Sequence, residues 1–421
     1  MNISTGPRCN WSDNHDSVSL LSLDQARQHL LEYASSVREI EIVATENALG
    51  RVLAEDQHSF INVPGADNSV MDGYAIASQD VVSEGETRLP VSQRVAAGKL
   101  GPSLAPGTAA RIFTGAWLPA GADAVVMQEY CRAEPDGTIV VSGPVSSGEN
   151  VRRVGEDVAL GTKILTKGAR LRPQDLGLAA SVGLARLPVY RRLRVALIRT
   201  GSELAEPGAA LQQAQIYDSN FFTLAGLLQA LGCDWFDAGR ADDDPAVTRA
   251  VLTRAAESAD LVLATGGVSV GEEDHVKDAV RDLGHLDLWR VAVKPGKPFA
   301  FGYVGAVPFM GLPGNPVSAF VTFCLLARPY ILASQGARIV EPQSFPVVAG
   351  FTWSGTPTQC EYLRARLVWP LGDMVADIYP EQGSVVLTSA VWADGFVEVP
   401  EGLSISPGQF VRFTPFSELL S

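Results

Sequence analysis

The hydrophobic rhythm of the chain changes several times along its length. Behind a polar start, Ser22-Leu-Asp-Gln25 reads as a capping box, and Ala26, Leu30 and Tyr33 fall on one helical face behind it. This helix has little of its own to bury against. From about 60 to 150 the apolar runs are short, as in ARIFTGAWL, DAVVMQEY and TIVVSG, and the turn residues PGT, PAGAD and PDG separate them. That texture predicts a small β-rich unit. The stretch NVRRVGEDVALGTKILTKGARLRPQDLGLAASVG reads as a strand-and-turn return followed by a short helix. It is expected to pair with the N-terminal helix as one discontinuous domain.

From about 192 strands and helices alternate. LRVALIRTG, CDWFDAG and DLVLATGG read as strands. Asn220 is the expected cap of a helix carrying Phe221, Leu224, Ala225, Leu228 and Leu231, closed by Gly232. Val247, Val251 and Ala255 mark a second helix. Asn315 and Pro316 form an N-cap and N1 pair ahead of Phe320, Phe323, Cys324 and Ala327. Such alternation implies a mostly parallel sheet covered on both faces, with ligands beyond the carboxyl ends of its strands. From about 343 the runs EYLRARLVW, MVADIYP, FVEVP and QFVRFTPF, with turns LGD, EQG and ADG between, predict a compact terminal barrel or sandwich. The expected fold class is a multidomain α/β plus β protein. Its parts are a discontinuous α+β domain over 18–58 and 150–190, a β-rich domain over 59–149, a three-layer α/β/α domain over 191–340 and a β-barrel-like domain over 341–421.

Composition narrows the function classes. A chain of 421 residues, 46% apolar and 19% charged, can bury several cores and is not disordered. Its net charge of −14 argues against a general binder of nucleic acid or anionic membranes. Any anionic ligand must be met by local Lys, Arg or backbone N–H groups. The five cysteines, Cys9, Cys131, Cys233, Cys324 and Cys360, are odd in number and lack zinc-site spacing, which points to reduced thiols in a cytoplasmic protein. The N-terminus lacks the apolar core of a signal peptide, and with no run of about 18 apolar residues no membrane span is expected.

Against that background several stretches carry chemistry. Thr200-Gly201-Ser202-Glu203 and Thr265-Gly266-Gly267 are glycine turns at strand ends, where backbone N–H groups bind phosphate or simply make a tight turn. Three acids follow the second turn, Glu272, Glu273 and Asp274, so a phosphorylated ligand carrying a metal ion would suit it. Dinucleotide and P-loop glycine motifs are absent. In Val293-Lys-Pro-Gly-Lys-Pro-Phe299 prolines hold Lys294 and Lys297 near Arg290, either for a small anion or as plain surface lysines. Gly311-Leu-Pro-Gly-Asn-Pro316 is stiff, either proline could be cis, and it ends at a helix start with free N–H groups. In Asp67-Asn-Ser-Val-Met-Asp-Gly-Tyr74, Asp72 could orient a hydroxyl or ligate Mg²⁺, or the loop caps itself. Arg152-Arg-Val-Gly-Glu-Asp157 offers both charge signs, or a solvated ion-pair loop. The histidines show no ligand spacing; His275 beside Asp274 reads better as a surface or capping residue.

Taken together and in order, DNSVMDGYA, IFTGAWLPAGADAVVMQE, RRVGEDV, IYDSN, ATGGVSVGEEDHVK, VKPGKPFAFG and GLPGNPVSAF resemble the molybdopterin molybdenumtransferases of the MoeA type, related to the E domain of gephyrin. The resemblance runs from about 20 to 420. It implies a four-domain, elongated homodimer that takes adenylylated molybdopterin and molybdate, inserts molybdenum into the dithiolene and releases AMP, with Mg²⁺ as the divalent cation. It also implies an upstream adenylyltransferase and downstream molybdoenzyme chaperones as partners. The implied cleft lies between the α/β domain of one subunit and the β-rich region of the other. Its implied acids are Asp72, Asp157, Glu203 and Asp274, the last two as metal ligands. Thr114 and Arg152 would line the same cleft. Thr200, Gly201, Ser202, Gly266, Gly267 and Ser269 would form the nucleotide turns, and Lys294, Lys297, Pro313 and Pro316 the molybdate and phosphate loops. The chain departs from the pattern with Ser202 in place of an acid, Arg290 in place of a lysine and His275 in place of a tyrosine. Two rivals are an adenylyltransferase, which typically carries TGGTG where this chain has Thr265-Gly-Gly-Val-Ser, and a gephyrin-type scaffold.

Overall fold

The computed structural model describes residues 20–241, 244–266, 275–369 and 372–420. Its central sheet has seven strands in the order Leu20–Leu21, Gly284–Val291, Pro298–Val304, Val307–Leu312, Leu261–Thr265, Arg194–Thr200 and Asp234–Ala241. The last four strands of that order run parallel, and Pro298–Val304 is antiparallel to both of its neighbours. Alternate residues of the middle strands enter separate cores. Val195, Leu197, Leu261 and Leu263 pack with Leu224, Leu228, Val317 and Phe323 on one face. Ala196, Ile198, Val262 and Ala264 pack with Val251, Leu252, Ala255 and Val280 on the other. A period of two thus buries both faces, and helices Ser219–Ala230, Pro245–Ser258 and His275–Leu283 complete three layers.

Gly232 closes the first of these helices at φ +73°, as expected. Its N-cap is Asp218, whose side chain accepts from Phe221 N–H, rather than Asn220. Helix Pro316–Thr322 starts on Asn315 and continues through a π-turn over Phe323–Ala327 into Arg328–Ser334. By length and apolarity the whole of Pro316–Ser334 would cross a membrane, but 94% of its apolar window is buried inside the protein, which makes it a core helix.

The capping box at Ser22 and Gln25 forms as expected. That helix, Leu23–Tyr33, buries Leu23, Ala26 and Leu30 in the α/β core, not against the 163–190 return. The return pairs instead with strands that follow the helix: Arg186–Tyr190 lies antiparallel to Ile40–Ala44, and Lys163–Leu165 to Gln57–His58. Leu53, Leu165, Leu171, Leu187 and Val189 form the core there. The β-rich unit is a six-stranded sheet in the order Ala124–Met127, Gly73–Ile76, Ala109–Ile112, Glu86–Val95, Thr138–Ser142 and Cys131–Ala133. In the C-terminal unit Cys360–Val368 pairs with both Val375–Ile378 and Gly395–Val399. This closes a five-stranded barrel with Phe345–Ala349 and Phe410–Pro415 around Val347, Leu363, Val397 and Phe413. Closure leaves the barrel without free sheet edges.

Candidate active site

Three strand ends of the α/β layer converge as open α/β sheets require. Thr200, buried at the end of its strand, donates its hydroxyl to Thr265 O at 2.8 Å. Gly266 turns at φ +81°, and a Cβ there would stand 2.5 Å from Thr200 Oγ1. Only glycine fits that turn without strain. Gly266 N–H donates to Leu312 O at 3.0 Å, so it is committed to the fold and not free for phosphate. Asn220 joins two of these ends: its Nδ2 donates to Thr265 Oγ1 at 2.9 Å and to Gly314 O at 2.7 Å. Gly267, Ser269 and Asp274 lie outside the described residues.

Gly201, at φ +122°, has the Glu203 carboxylate folded over it, with Oε2 2.5 Å from where a Cβ would sit. Arg240 donates to Gly201 O and, at 2.9 Å, to Leu204 O, which fixes the turn from below. Ser202 and Glu203 are exposed. Asp218 lies beneath, 3% exposed, with Oδ2 unpartnered, and burial pushes its carboxyl up. Among the described residues no three of His, Cys, Asp and Glu gather as a metal site. Glu203 supplies one carboxylate, so the described residues do not by themselves fit a Mg²⁺ site.

The lysine loop is pinned from the C-terminal barrel. Val293–Lys294 pairs in parallel with Cys360 and Glu361, and Lys294 Nζ lies 3.2 Å from Glu361 Oε2. Glu361 is buried and also accepts from Thr356 N–H at 2.7 Å. Lys294 is therefore paired, while Lys297 is exposed and makes no ion pair among the described residues. The cis X–Pro bonds of the described residues are Val63–Pro64 and Lys294–Pro295, so neither Pro313 nor Pro316 is cis. Nor is the helix start at Pro316 wholly free: Val317 N–H donates to Ser384 O at 2.9 Å, and Asn315 Nδ2 to Ser384 Oγ at 3.0 Å. Arg364 holds that barrel segment. Fully buried, it donates to Ser389 Oγ, Tyr362 O and Gly383 O, and burial lowers its pKa to about 10.

A second cluster forms in the β-rich unit. Thr114 donates its N–H and its hydroxyl to Asp72 Oδ1, each at 2.8 Å. These bonds, the backbone one first, hold the Asp72 carboxyl below the usual range, and the Arg111 charge adds to them. Arg152 stands opposite Asn68 in a two-residue ladder, exposed and without an ion pair among the described residues. Its neighbour Arg153 is tied to Asp67 at 2.6 Å. Asp157 is exposed, its N–H donating to Val63 O at 3.0 Å. Asp72 and Thr114 thus form one cluster, and the Thr200, Gly201, Glu203 and Gly266 turns form another, with Pro313 between Leu312 and Gly314 beside it. No hydrogen bond or ion pair between described residues joins the two clusters. Burial pushes the partly exposed thiols Cys131 and Cys360 up to about 11 and about 12, which favours their protonated forms.

Glu361, Ser384, Arg364 and the bridging role of Asn220 were not read from the sequence. A signal existed for two of them. EYLRARLVW places Glu361 and Arg364 within an apolar run, where charges need a buried partner.

These strand-end turns sit in one chain with a six-stranded β-rich unit and a closed five-stranded barrel. Residues 21–183 match the model for the MoeA N-terminal region (domain I and II). Residues 196–333 match the probable molybdopterin binding domain, and 346–416 the MoeA C-terminal region (domain IV). The chain is 40% identical to the molybdopterin molybdenumtransferase of Haemophilus influenzae over 95% of its own length and 100% of that protein. It is 37% identical to molybdopterin molybdenumtransferase 2 of Mycobacterium tuberculosis, covering 90% of this chain and 95% of that one. The crystal structure of the molybdopterin biosynthesis MoeA protein from Pyrococcus horikoshii superposes with a TM-score of 0.79 at 29% identity, covering 94% of this chain and 100% of that one. The chain belongs to the MoeA family of molybdopterin molybdenumtransferases, transferases of molybdenum cofactor biosynthesis.

Proposed function

We propose that this protein takes adenylylated molybdopterin and molybdate, inserts molybdenum and releases AMP, acting as a homodimer in the cytoplasm. The observation that carries the reading is the split site. Two clusters, one around Asn220 and one around Asp72, share no hydrogen bond or ion pair among the described residues, and the family resemblance implies a cleft that unites them across two subunits. In this reading the Thr200, Gly201 and Gly266 turns shape a floor for the nucleotide end. Exposed Lys297 meets the molybdate dianion, while Lys294 is held by Glu361 at the edge of the same loop. Asp72, kept ionised by Thr114, orients a hydroxyl or a hydrated cation across the cleft. Thr114 and Arg152 complete that wall. The described residues offer a Mg²⁺ ion one carboxylate, Glu203, to which the family resemblance adds Asp274; a bound ion would supply charge neutralisation for the substrate phosphates. Rate enhancement would come from positioning and charge neutralisation.

A reconstitution with purified protein, adenylylated molybdopterin, Mg²⁺ and molybdate tests this. The expected result is molybdate-dependent AMP release that yields active cofactor. Binding without AMP release would instead indicate a storage or scaffold role, and adenylylation of molybdopterin from ATP would indicate the preceding step.

A further inference from the structure

We propose that Arg94 and Arg111 form a subsite for a phosphoryl dianion beside Asp72 and Thr114. The two arginines are Cα partners on neighbouring strands, Glu86–Val95 and Ala109–Ile112. Both guanidinium groups stand over one ring, that of Phe113, with Cζ 4.6 Å and 4.7 Å from its centroid. Like charges facing each other across a sheet oppose folding unless something neutralises them. In a chain with 47 acids against 33 Lys and Arg, an acidic neighbour would be easy to supply, yet among the described residues neither arginine makes an ion pair. The nearby acids form no ion pair with them, although the Arg111 charge helps to lower Asp72. Asp72 accepts from Thr114, and Glu129 accepts from Gln128 Nε2 at 3.2 Å.

Arg111 is fixed in place. It donates to Gly73 O at 3.0 Å and to Gln128 Oε1 at 2.6 Å, and it also lies over the Tyr74 ring. Its remaining N–H groups and the whole fork of exposed Arg94 stay available. Guanidinium forks held against one ring match the oxygens of a phosphoryl group, whereas two cations on an acidic protein make no track for nucleic acid. The bearer of the phosphoryl group rests on the function proposed above, as the pyrophosphate of adenylylated molybdopterin or the phosphomonoester left on the pterin once AMP is released.

Calorimetric titration of the full-length protein with inorganic pyrophosphate in EDTA tests the subsite without metal. Arg94→Gln is expected to weaken pyrophosphate binding about tenfold and Arg94→Lys about threefold, with adenosine binding unchanged. Phe113→Leu, which keeps both charges but removes the ring that aligns them, should fall between wild type and Arg94→Gln. Equal pyrophosphate affinity for wild type and Arg94→Gln, or no wild-type binding at millimolar concentration, overturns the proposal. So does an Arg94→Gln effect confined to molybdate. If Arg94 controls pyrophosphate binding in a protein that releases no AMP, the subsite stands and the proposed reaction falls.

Discussion

At the α/β floor, Thr200 and Asn220 both bond Thr265 and Gly266 N–H bonds Leu312 O, and a group left unpaired beside the buried Thr200 and Thr265 would carry a desolvation cost. At the β-rich wall, Asp72 and Arg152 stand at the surface, and their geometry rests on one threonine and a two-residue ladder. The floor is therefore shaped by the same bonds that stabilise the fold, while the wall is decorated by residues the fold does not need. Substitutions at the floor should disturb stability and activity together, and those at the wall should disturb activity alone.

Asp72→Asn draws the distinction most sharply. AMP release should fall about 100-fold or more while the urea midpoint stays close to wild type. A comparable loss of folding would place Asp72 with the floor. Gly266→Ala should act in the opposite sense, since its Cβ meets Thr200 Oγ1 at 2.5 Å in a left-handed turn. A destabilisation of about 1–3 kcal/mol by urea titration is expected, with a parallel loss of activity. Asn220→Ala removes two bonds that tie strand ends together and should cost about 1–2 kcal/mol. Unchanged stability there would make Asn220 a ligand contact and not a brace.

The smallest expected effect is on pH dependence, and its sign differs between the regions. The Asp218 carboxyl is raised by burial, so folding favours its neutral form. Its contribution to stability is full below the ordinary aspartate pKa of about 4 and is lost as pH rises through the raised value. Asp218→Asn should therefore gain stability relative to wild type across that rise, read from urea midpoints between pH 3 and 8. Asp72 is lowered, so it stays ionised to below the ordinary range and should not set the acid limb of activity. Thr114→Val, which removes one of its two bonds from Thr114, should shift that carboxyl back toward its ordinary value, read from the activity profile of the variant.

Much of the architecture was legible because burial writes itself as periodicity. The two-sided apolar strands at 194–200 and 261–265, the capping box at Ser22 and the helix-closing Gly232 all follow from local pattern. The first helix had no such signal for its partner, because its apolar face is the same whether it packs on the 163–190 return or on the α/β core. The site was legible as residue types in motifs and illegible as pairings. Nothing local in VKPGKPF says that Lys294 meets Glu361, 67 positions onward, or that the helix start at Pro316 meets Ser384. Asn220 and Asp218 both fit a cap, and only the backbone geometry chooses between them.

The most direct test of the split site is a heterodimer purified through two different tags, with Asp72→Asn in one subunit and Lys297→Ala in the other. Each substitution alone should leave an inactive homodimer. If wall and floor meet across subunits, the heterodimer holds one intact site and should recover about half the AMP release of wild type. A heterodimer as inactive as either parent would place both clusters in one subunit and contradict the account.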